Sequence, residues 1–194
     1  MPGDALDPEL SDAQLVLASA EGDRAAFSTL MVRHQARLWR CLQALTGSEQ
    51  LAEEALQETF LAAWHGAPHF RGDARVSAWL LGMARRQAAR TWRRRVGEPR
   101  DTCSLEDLGA GAGWGQETSP EHWASVLEDQ ARIHAALARL HPDDRELLVL
   151  RDLEQLRAAE AARILSIGVP ALKSRLHRAR LRLMAELGTE VTHG

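Results

Sequence analysis

The chain has 194 residues, of which 45% are hydrophobic, and its formal net charge is −3. This length allows one medium domain or two small ones with packed cores. We expect a cytoplasmic protein, because the sequence has no apolar run of about 18 residues that could span a bilayer and its acidic N-terminus is not a signal peptide. The two cysteines, Cys41 and Cys103, stand at no motif spacing, which argues against a disulfide framework or a metal pair.

The first two predicted helices are defined by their ends. After a loose tail over residues 1–10, Ser11 can cap a short helix that stops at Gly22. Asp23 can cap a longer helix that ends at Gly47. The apolar stripe of this second helix recurs at three- and four-residue steps and comprises Phe27, Leu30, Met31, His34, Leu38, Cys41, Leu42 and Leu45. We interpret the histidine in this stripe as a packed residue, since no second ligand lies at metal spacing.

A third helix is predicted after Ser48, and it has two distinct faces. The small and apolar face comprises Ala52, Ala55, Leu56, Thr59, Phe60, Ala63 and Trp64. The opposite face comprises Glu53, Glu54, Gln57, Glu58 and Leu61. Most acidic faces are solvated surfaces, but Leu61 places an apolar side chain in the middle of this one, which is typical of a protein contact. The residues alone leave these two interpretations equally open.

The next segment is strongly basic. Residues 71–95 contain eight arginines and one aspartate. Six of the arginines fall within eleven residues, namely Arg85, Arg86, Arg90, Arg93, Arg94 and Arg95. A loop with Phe70 leads into this helix, predicted over 76–95. Aromatic rings stack on unpaired bases and guanidinium groups bind phosphates, so the segment is typical of a site for single-stranded or melted DNA. An arginine-rich solvated helix end is the weaker alternative, because no glutamates are interleaved.

Helical periodicity is lost over residues 97–120, which are rich in glycine, and we predict a flexible linker there. The linker divides the chain into two small helical domains, so the predicted fold class is all-α. The first domain spans residues 11–96 and the second spans residues 121–189. Residues 190–194 form a C-terminal tail.

The second domain is predicted to begin with a helix whose apolar residues are Trp123, Val126, Leu127, Ile133, Leu137 and Leu140. Asp143 or Asp144 opens the next helix. Residues 156–183 then read as a short helix, a tight turn containing Gly168 and a second helix. From residue 163 to residue 182 there are six Lys or Arg and no Asp or Glu, although the whole chain is slightly acidic.

The last helix of this segment is typical of the reading helix in a DNA-binding helix-turn-helix. Its predicted buried side comprises Leu172, Leu176, Ala179 and Leu183. The opposite side comprises Ala171, Ser174, His177 and Arg178, and the flanks carry Lys173, Arg175, Arg180 and Arg182. The outward residues would meet base edges, with Arg178 able to bind guanine bidentately, and the flanking cations would bind phosphates. A solvated basic surface is the alternative.

In this order, the segments resemble the extracytoplasmic-function (group IV) sigma factors of bacterial RNA polymerase, within the sigma-70 family. The resemblance covers nearly the whole chain. EGDRAAFSTLMVRH resembles the opening helix of sigma region two, and AEEALQETFLAAW resembles the polymerase-binding helix. FRGDARVSAWLLGMARRQAARTWRRR resembles the segment that opens and reads the −10 element. LHPDDRELLVLRDLEQLRAAEAARIL and VPALKSRLHRAR resemble region four, which reads the −35 element.

The resemblance implies an alternative sigma factor that binds core RNA polymerase and directs promoter-specific initiation. The acidic face around Leu61 would contact the clamp of the largest polymerase subunit. The −10 element would be bound by Phe70, Arg71, Asp73, Arg75, Trp79, Arg85, Arg86, Arg90, Arg93 and Arg94. The −35 element would be bound by Ala171, Lys173, Ser174, Arg175, His177, Arg178 and Arg180. The family also leads us to expect an anti-sigma factor as a partner, and no membrane insertion of the chain itself.

Several positions depart from the family's pattern. Arg86 stands where asparagine is usual and Arg90 where aspartate is frequent, and the first change removes a bidentate base reader. Arg157 stands where a capping serine is common, a loss of about 1 kcal/mol. Pro170 and Ala171 replace a usual Gly–Thr pair, which removes one hydroxyl near the phosphates. We expect these changes to alter the sequence specificity or the strength of promoter binding. We expect the functional class, a sigma factor, to be unaffected.

We do not expect an enzyme. The sequence contains no Gly-rich phosphate loop, paired-carboxylate site, nucleophile triad or metal cluster, so neither a cofactor nor a metal ion is expected. One alternative function is a two-domain helix-turn-helix transcriptional regulator that does not enter polymerase, which leaves the acidic helix unexplained. Another is a helical adaptor that binds only proteins, which the segregation of charge disfavours.

Overall fold

A computed structural model describes residues 10–95 and 131–191 of the chain. Within these two ranges the protein is built from helices without any strand, which confirms the all-α prediction. The predicted linker over 97–120, the predicted start of the second domain and most of both tails lie outside the described residues, as do the side chains of Arg93 and Arg94. No helix of the described ranges is long and apolar enough to cross a membrane.

The first half contains four α-helices: α1 (Asp12–Ala20), α2 (Arg24–Thr46), α3 (Glu49–Gly66) and α4 (Val76–Arg95), with a 3₁₀ turn at Ala67–His69 between the last two. Their ends follow from the caps that the sequence predicts. Ser11 and Gln14 form a reciprocal capping box at α1. A carboxylate oxygen of Asp23 accepts from the first N–H groups of α2, and Ser48 caps α3. Gly47 ends α2 in the left-handed conformation, with φ of 65°.

Helix α2 is the centre of this half and packs on α1, α3 and α4. Its predicted stripe is buried, including Leu30, Leu38 and Leu42. His34 is buried as well, and its Nε2 lies 2.7 Å from a carboxylate oxygen of Asp12 on α1. The histidine is thus a packed residue with a polar partner, as predicted.

The second half begins with residues 131–139, which are helical (α5). It continues with α6 (Pro142–Leu148), a π-helical segment (Val149–Leu153), α7 (Ala158–Leu165) and α8 (Val169–Val191). The capping prediction for α6 was wrong. Pro142 is the first helical residue, so the cap is His141, whose Nδ1 accepts from the Asp143 N–H at 3.3 Å. Asp144 is instead buried and pairs with Arg182. Ile133 is exposed, contrary to its predicted place on the apolar face.

The turn between α7 and α8 contains Gly168, as predicted, and Ser166 takes the left-handed conformation there, with φ of 54°. At the other end of α7, Arg157 occupies the cap position, and a guanidinium cannot accept a hydrogen bond. The carboxylate of Glu160 accepts from the Arg157 N–H at 2.9 Å, so half of a capping box remains.

The two halves pack against each other, and buried apolar residues of both belong to one continuous core. Helix α2 lies against α6 and the π-helical segment. The two predicted small helical domains are thus in contact with each other through these helices.

Candidate nucleic-acid and protein interfaces

The reading helix α8 has the two sides that the sequence predicts. Leu172, Leu176 and Ala179 are buried against α6 and α7, and Leu183 is half-buried. The outward residues Ala171, Ser174, His177 and Arg178 are all exposed. The helix is thus anchored along one stripe and presents the opposite stripe to solvent, as a helix in the major groove requires.

The flanking cations of α8 are divided between two roles. Lys173 and Arg175 are exposed. Arg180 donates to both carboxylate oxygens of Asp152, at 2.9 and 2.6 Å, and this hydrogen bonding raises the pKa of its guanidinium. Arg182 pairs with Asp144, which is buried. These two pairs attach α8 to its own half, so Arg180 and Arg182 are already bound to carboxylates where the sequence predicted phosphate contacts.

A cleft of about 310 Å³ lies beside the outward stripe of α8. Three arginines line it from α8, and His141, Asp143, Asp144 and Leu147 line it from α6 and the residue before it. The cleft thus lies between the arginines of the reading helix and the carboxylates of Asp143 and Asp144. Phosphate groups would be drawn to the arginine side alone.

The aromatic residue predicted to stack on bases is packed rather than free. The ring of Phe70 lies 5.0 Å from the ring of Trp79, at an interplanar angle of 51°. Both rings are half-buried and pack on the core. The pair forms a small aromatic surface at the start of α4, and an unpaired base could stack only on its outer edge.

The charged residues predicted to bind opened DNA differ in their surroundings. Arg71, Arg86 and Arg90 are exposed. Arg75 forms a bidentate pair with Glu160, and Arg85 is paired with Glu146 at 2.8 Å. The partners of these last two arginines come from the second half of the chain. Part of the predicted set is thus exposed on α4 and the preceding loop, and part of it is held in contacts between the halves.

On α3, Leu61 is 55% exposed among the exposed side chains of Glu53, Gln57 and Glu58, while Glu54 is half-buried. Beside Leu61 the surface deepens into a groove of about 600 Å³ between α2 and α3. It is lined by Arg24, Phe27, Met31, Gln35, Leu56, Gln57, Phe60, Leu61 and Trp64. The acidic face therefore continues into an apolar groove, which is the form of site that accepts an amphipathic helix of another protein.

Aromatic contacts between helices shape this groove. Phe27 meets Phe60 edge to face at 6.4 Å and Trp64 at 5.1 Å. Helical spacing assigns these residues to apolar faces and does not predict the groove. The sequence places these residues on two apolar stripes, and it holds no signal for a groove between them.

The described residues hold no cluster of three or more His, Cys, Asp or Glu side chains that could bind a metal ion. Cys41 is a free thiol in the core, and burial raises its pKa, which makes it a poor nucleophile.

Two family models match the chain: Sigma-70 region 2 over residues 30–97 and Sigma-70 region 4 over residues 130–183. The ECF RNA polymerase sigma factor SigM of Mycobacterium tuberculosis is 36% identical over 93% of this chain and 86% of its own length. The RNA polymerase sigma factor CnrH of Cupriavidus metallidurans is 30% identical over 95% of this chain and 98% of its own length. This chain belongs to the extracytoplasmic-function sigma factors of the sigma-70 family.

Solved sigma factors share the fold. CnrH in complex with the cytosolic domain of CnrY matches 92% of this sigma factor and 97% of that chain, with a TM-score of 0.68 and 27% identity. The sigma factor RpoE of Bartonella quintana, solved with the anti-sigma factor NepR, matches 84% of this chain and 96% of that chain, with a TM-score of 0.66 and 23% identity. The second comparison shows the common fold.

As an alternative sigma factor, this protein binds core RNA polymerase and directs promoter-specific transcription initiation. Helices α3 and α4 lie within region 2, and α6 and α7 lie within region 4. A regulator that acts without polymerase is not favoured, since the relatives are sigma factors. The family has a non-enzymatic role.

Proposed function

We propose that this sigma factor works through three surfaces. The acidic face of α3 and its groove, termed the polymerase surface, binds the clamp of the largest subunit of RNA polymerase. The loop at Phe70 and the basic face of α4 bind the opened −10 element. The outward stripe of α8 reads the −35 element in the major groove.

The observation that carries this proposal is the exposure of Leu61 at the rim of the groove. An exposed leucine surrounded by carboxylates gains most from a partner that offers apolar side chains and positive charge together. The adjacent groove has the volume to receive such side chains from a helix. A solvated acidic face would need neither feature.

The DNA-binding assignments are supported by the exposed cations near each surface. Arg71, Arg86 and Arg90 are exposed beside the Phe70–Trp79 pair, where they can bind the phosphates of a separated strand. On α8, Arg178 is exposed at the C-terminal end of the reading stripe, and its guanidinium could bind a guanine edge bidentately.

The proposal also includes a partner protein that inhibits this sigma factor, and the cellular compartment in which the factor acts. CnrH and RpoE were solved in complexes with CnrY and with the anti-sigma factor NepR, respectively. By analogy, an anti-sigma factor would bind this chain and cover the surfaces used for polymerase or DNA. The protein would act in the cytoplasm, where RNA polymerase transcribes.

In vitro transcription with core polymerase tests this function. The chain should give initiation from a subset of a promoter library, and core polymerase alone should not. Leu61→Asp should weaken binding to core polymerase by about thirtyfold, the effect of losing roughly 2 kcal/mol at a central apolar contact. Leu17→Asp is the matched control, because Leu17 is 60% exposed on α1 and does not line the groove. Equal affinities of both variants for polymerase would refute the polymerase surface.

A further inference from the structure

The two flanks of α8 carry cations in a regular arrangement. Lys173 and Arg180 lie on one flank, and Arg175 and Arg182 lie on the other. On both flanks the second cation follows the first by seven residues, which make about two turns of an α-helix and a rise of about 10 Å. Each flank therefore presents one cation near the start of the helix and another two turns later.

The later cation of each flank is bound to a carboxylate of the second half. Arg180 donates from Nε and Nη2 to the two carboxylate oxygens of Asp152, at 2.9 and 2.6 Å. Arg182 donates from Nη1 to the carboxylate of Asp144, which is buried in the first turn of α6. Both guanidinium groups thus already have an anionic partner before any DNA is bound.

The cations in the first three turns of α8 have different surroundings. Lys173, Arg175 and Arg178 are exposed, and none of them has a carboxylate partner in the part of the chain that the structure describes. The positive charge that α8 offers to a ligand is thus concentrated near its start. A helix that reads the major groove contacts base edges with its N-terminal residues, so these free cations lie where DNA would approach.

The two carboxylates are positioned by the packed part of the second half. Asp152 belongs to the π-helical segment, whose first two residues are buried in the core. Asp144 lies on α6, which packs against α8. A carboxylate that binds a guanidinium bidentately uses the same donors that a DNA phosphate would use. A phosphate must therefore compete with Asp152 for the donors of Arg180.

We propose that Asp152 and Asp144 limit the DNA affinity of α8, because they occupy the donors of Arg180 and Arg182 and so reduce the number of phosphates that the helix neutralises. The proposal rests on the proposed function of α8 as the −35 reader. Sequence-independent binding grows with the number of neutralised phosphates, since each one releases counterions from DNA. The two carboxylates thus keep the binding of this sigma factor to general DNA weak, and they leave the base contacts of Arg178 unaffected.

The expected effect is a change in the salt dependence of DNA binding. The logarithm of the binding constant falls linearly with the logarithm of the salt concentration, with a slope of about −0.9 for each neutralised phosphate. Release of Arg180 should add one phosphate contact and make this slope steeper by about 0.9. The same contact should tighten binding roughly five- to tenfold at about 0.1 M salt.

Asp152→Asn is the first test, because it removes the negative charge and leaves every cation of α8 in place. The affinity of the free full chain for a fluorescent DNA duplex of mixed sequence is measured over a range of salt concentrations. We expect a slope that is steeper than the wild-type slope by about 0.9. Asp143→Asn is the matched control, since it makes the same charge change in the same half, and Asp143 is exposed and pairs with no arginine of the described chain.

Two further variants separate the ion pair from net charge and from folding. Asp152→Glu keeps the carboxylate and should keep the wild-type slope. In an Arg180→Gln background, Asp152→Asn has no guanidinium to release, so it should change the slope no more than Asp143→Asn does. The side chains of Arg180 and Asp152 are 52% and 33% exposed, so loss of this surface pair should leave the helices folded, as circular dichroism of each variant checks.

Equal slopes for wild type and Asp152→Asn would overturn the proposal. So would an equal steepening in Asp152→Asn and Asp143→Asn, because net charge alone would then explain the change. Arg175→Gln distinguishes these outcomes from a failure of the proposed function, since it removes a free cation of α8 and should make the slope shallower by about 0.9. An unchanged slope in Arg175→Gln would contradict DNA binding by α8 itself, whereas an unchanged slope in Asp152→Asn alone would contradict only the role of the carboxylates.

Discussion

At the scale of single residues, the arginines of α8 differ in their hydrogen-bond partners. Arg180 and Arg182 on α8 are bound to carboxylates of their own half, whereas Arg178 is exposed and has no carboxylate partner among the described residues. Its Nε lies 3.4 Å from the backbone oxygen of Ser174 one turn earlier, a long and weak hydrogen bond. Unlike Arg180 and Arg182, Arg178 is thus available to bind a base without first leaving a carboxylate.

Arg178→Ala is expected to weaken promoter binding by about 1–3 kcal/mol and to relax the preference at one base pair of the −35 element. Binding selection from a randomised −35 library, with polymerase holoenzyme, measures both effects. Arg180→Ala should instead leave the base preference unchanged, because Arg180 stabilises the attachment of α8 to Asp152. Identical selected sequences for wild type and Arg178→Ala would refute the reading role.

The pKa of the Glu160 carboxyl depends on its pair with Arg75, which joins the two halves. The hydrogen bonds from Arg75 lower the pKa of the Glu160 carboxyl from 4.5 to about 2. Because this pKa is lowered by folding, the stabilisation from the ionised carboxylate is present above its unfolded pKa and is lost as the pH falls from 4.5 towards 2.

We expect Glu160 to remain ionised at a pH about one unit below its ordinary pKa, as monitored by the NMR shift of its side-chain carboxyl carbon. In Arg75→Ala the carboxyl should titrate close to its ordinary pKa. A wild-type carboxyl that titrates as it does in Arg75→Ala would show that the pair is absent in solution.

At the scale of elements, α7 begins without a side-chain acceptor at its cap position. Arg157 cannot accept a hydrogen bond at the cap, and the structure compensates in part through Glu160. The same glutamate also pairs with Arg75, so one side chain supports the helix start and the contact with the first half.

Arg157→Ser should add the missing acceptor and raise the free energy of unfolding by about 1 kcal/mol. Urea denaturation followed by circular dichroism measures this change. Arg157→Ala, which lacks the hydroxyl, is the control and should give no such gain. Equal stabilities of the two variants would mean that the Glu160 half of the capping box already suffices.

At the scale of the whole molecule, Arg145 joins parts of the chain that are far apart in sequence. It is buried and donates to the backbone oxygens of Leu45, Leu137, Ala138 and Leu140. These oxygens lie near the ends of α2 and α5, where helix carbonyls lack partners and favour a positive charge. One side chain therefore satisfies acceptors from both halves.

Arg145→Met should lower the free energy of unfolding by roughly 2–4 kcal/mol, because it leaves several buried acceptors without a donor. Arg139→Met is the control. Arg139 is exposed and its pair with Glu186 lies at the surface, so its loss should change stability by less than about 1 kcal/mol. Urea denaturation of both variants tests the difference, and similar values would contradict the proposed role of Arg145.

The sequence by itself determined most helix ends and most of the residues that form the apolar side of each described helix. The caps at Ser11, Asp23 and Ser48, the left-handed Gly47 and the two sides of α8 depend on neighbours within a few residues, and these predictions are confirmed. The predicted cap of α6, Asp143 or Asp144, was wrong because proline takes the first helical position, which places the cap at His141. The acidic face with Leu61 was also evident from helical spacing alone.

Only the tertiary structure decided how the helices face one another. The groove at Leu61 exists because Phe27 on α2 packs against Phe60 and Trp64 on α3. The spacing of residues within either helix does not predict this contact between helices. Arg85 and Glu146 are 61 residues apart, with the linker between them. Side-chain periodicity reports which face of a helix is apolar, but a charge on the polar face has many accessible partners until the chain is folded. The pairing that covers α4 was therefore decided by packing.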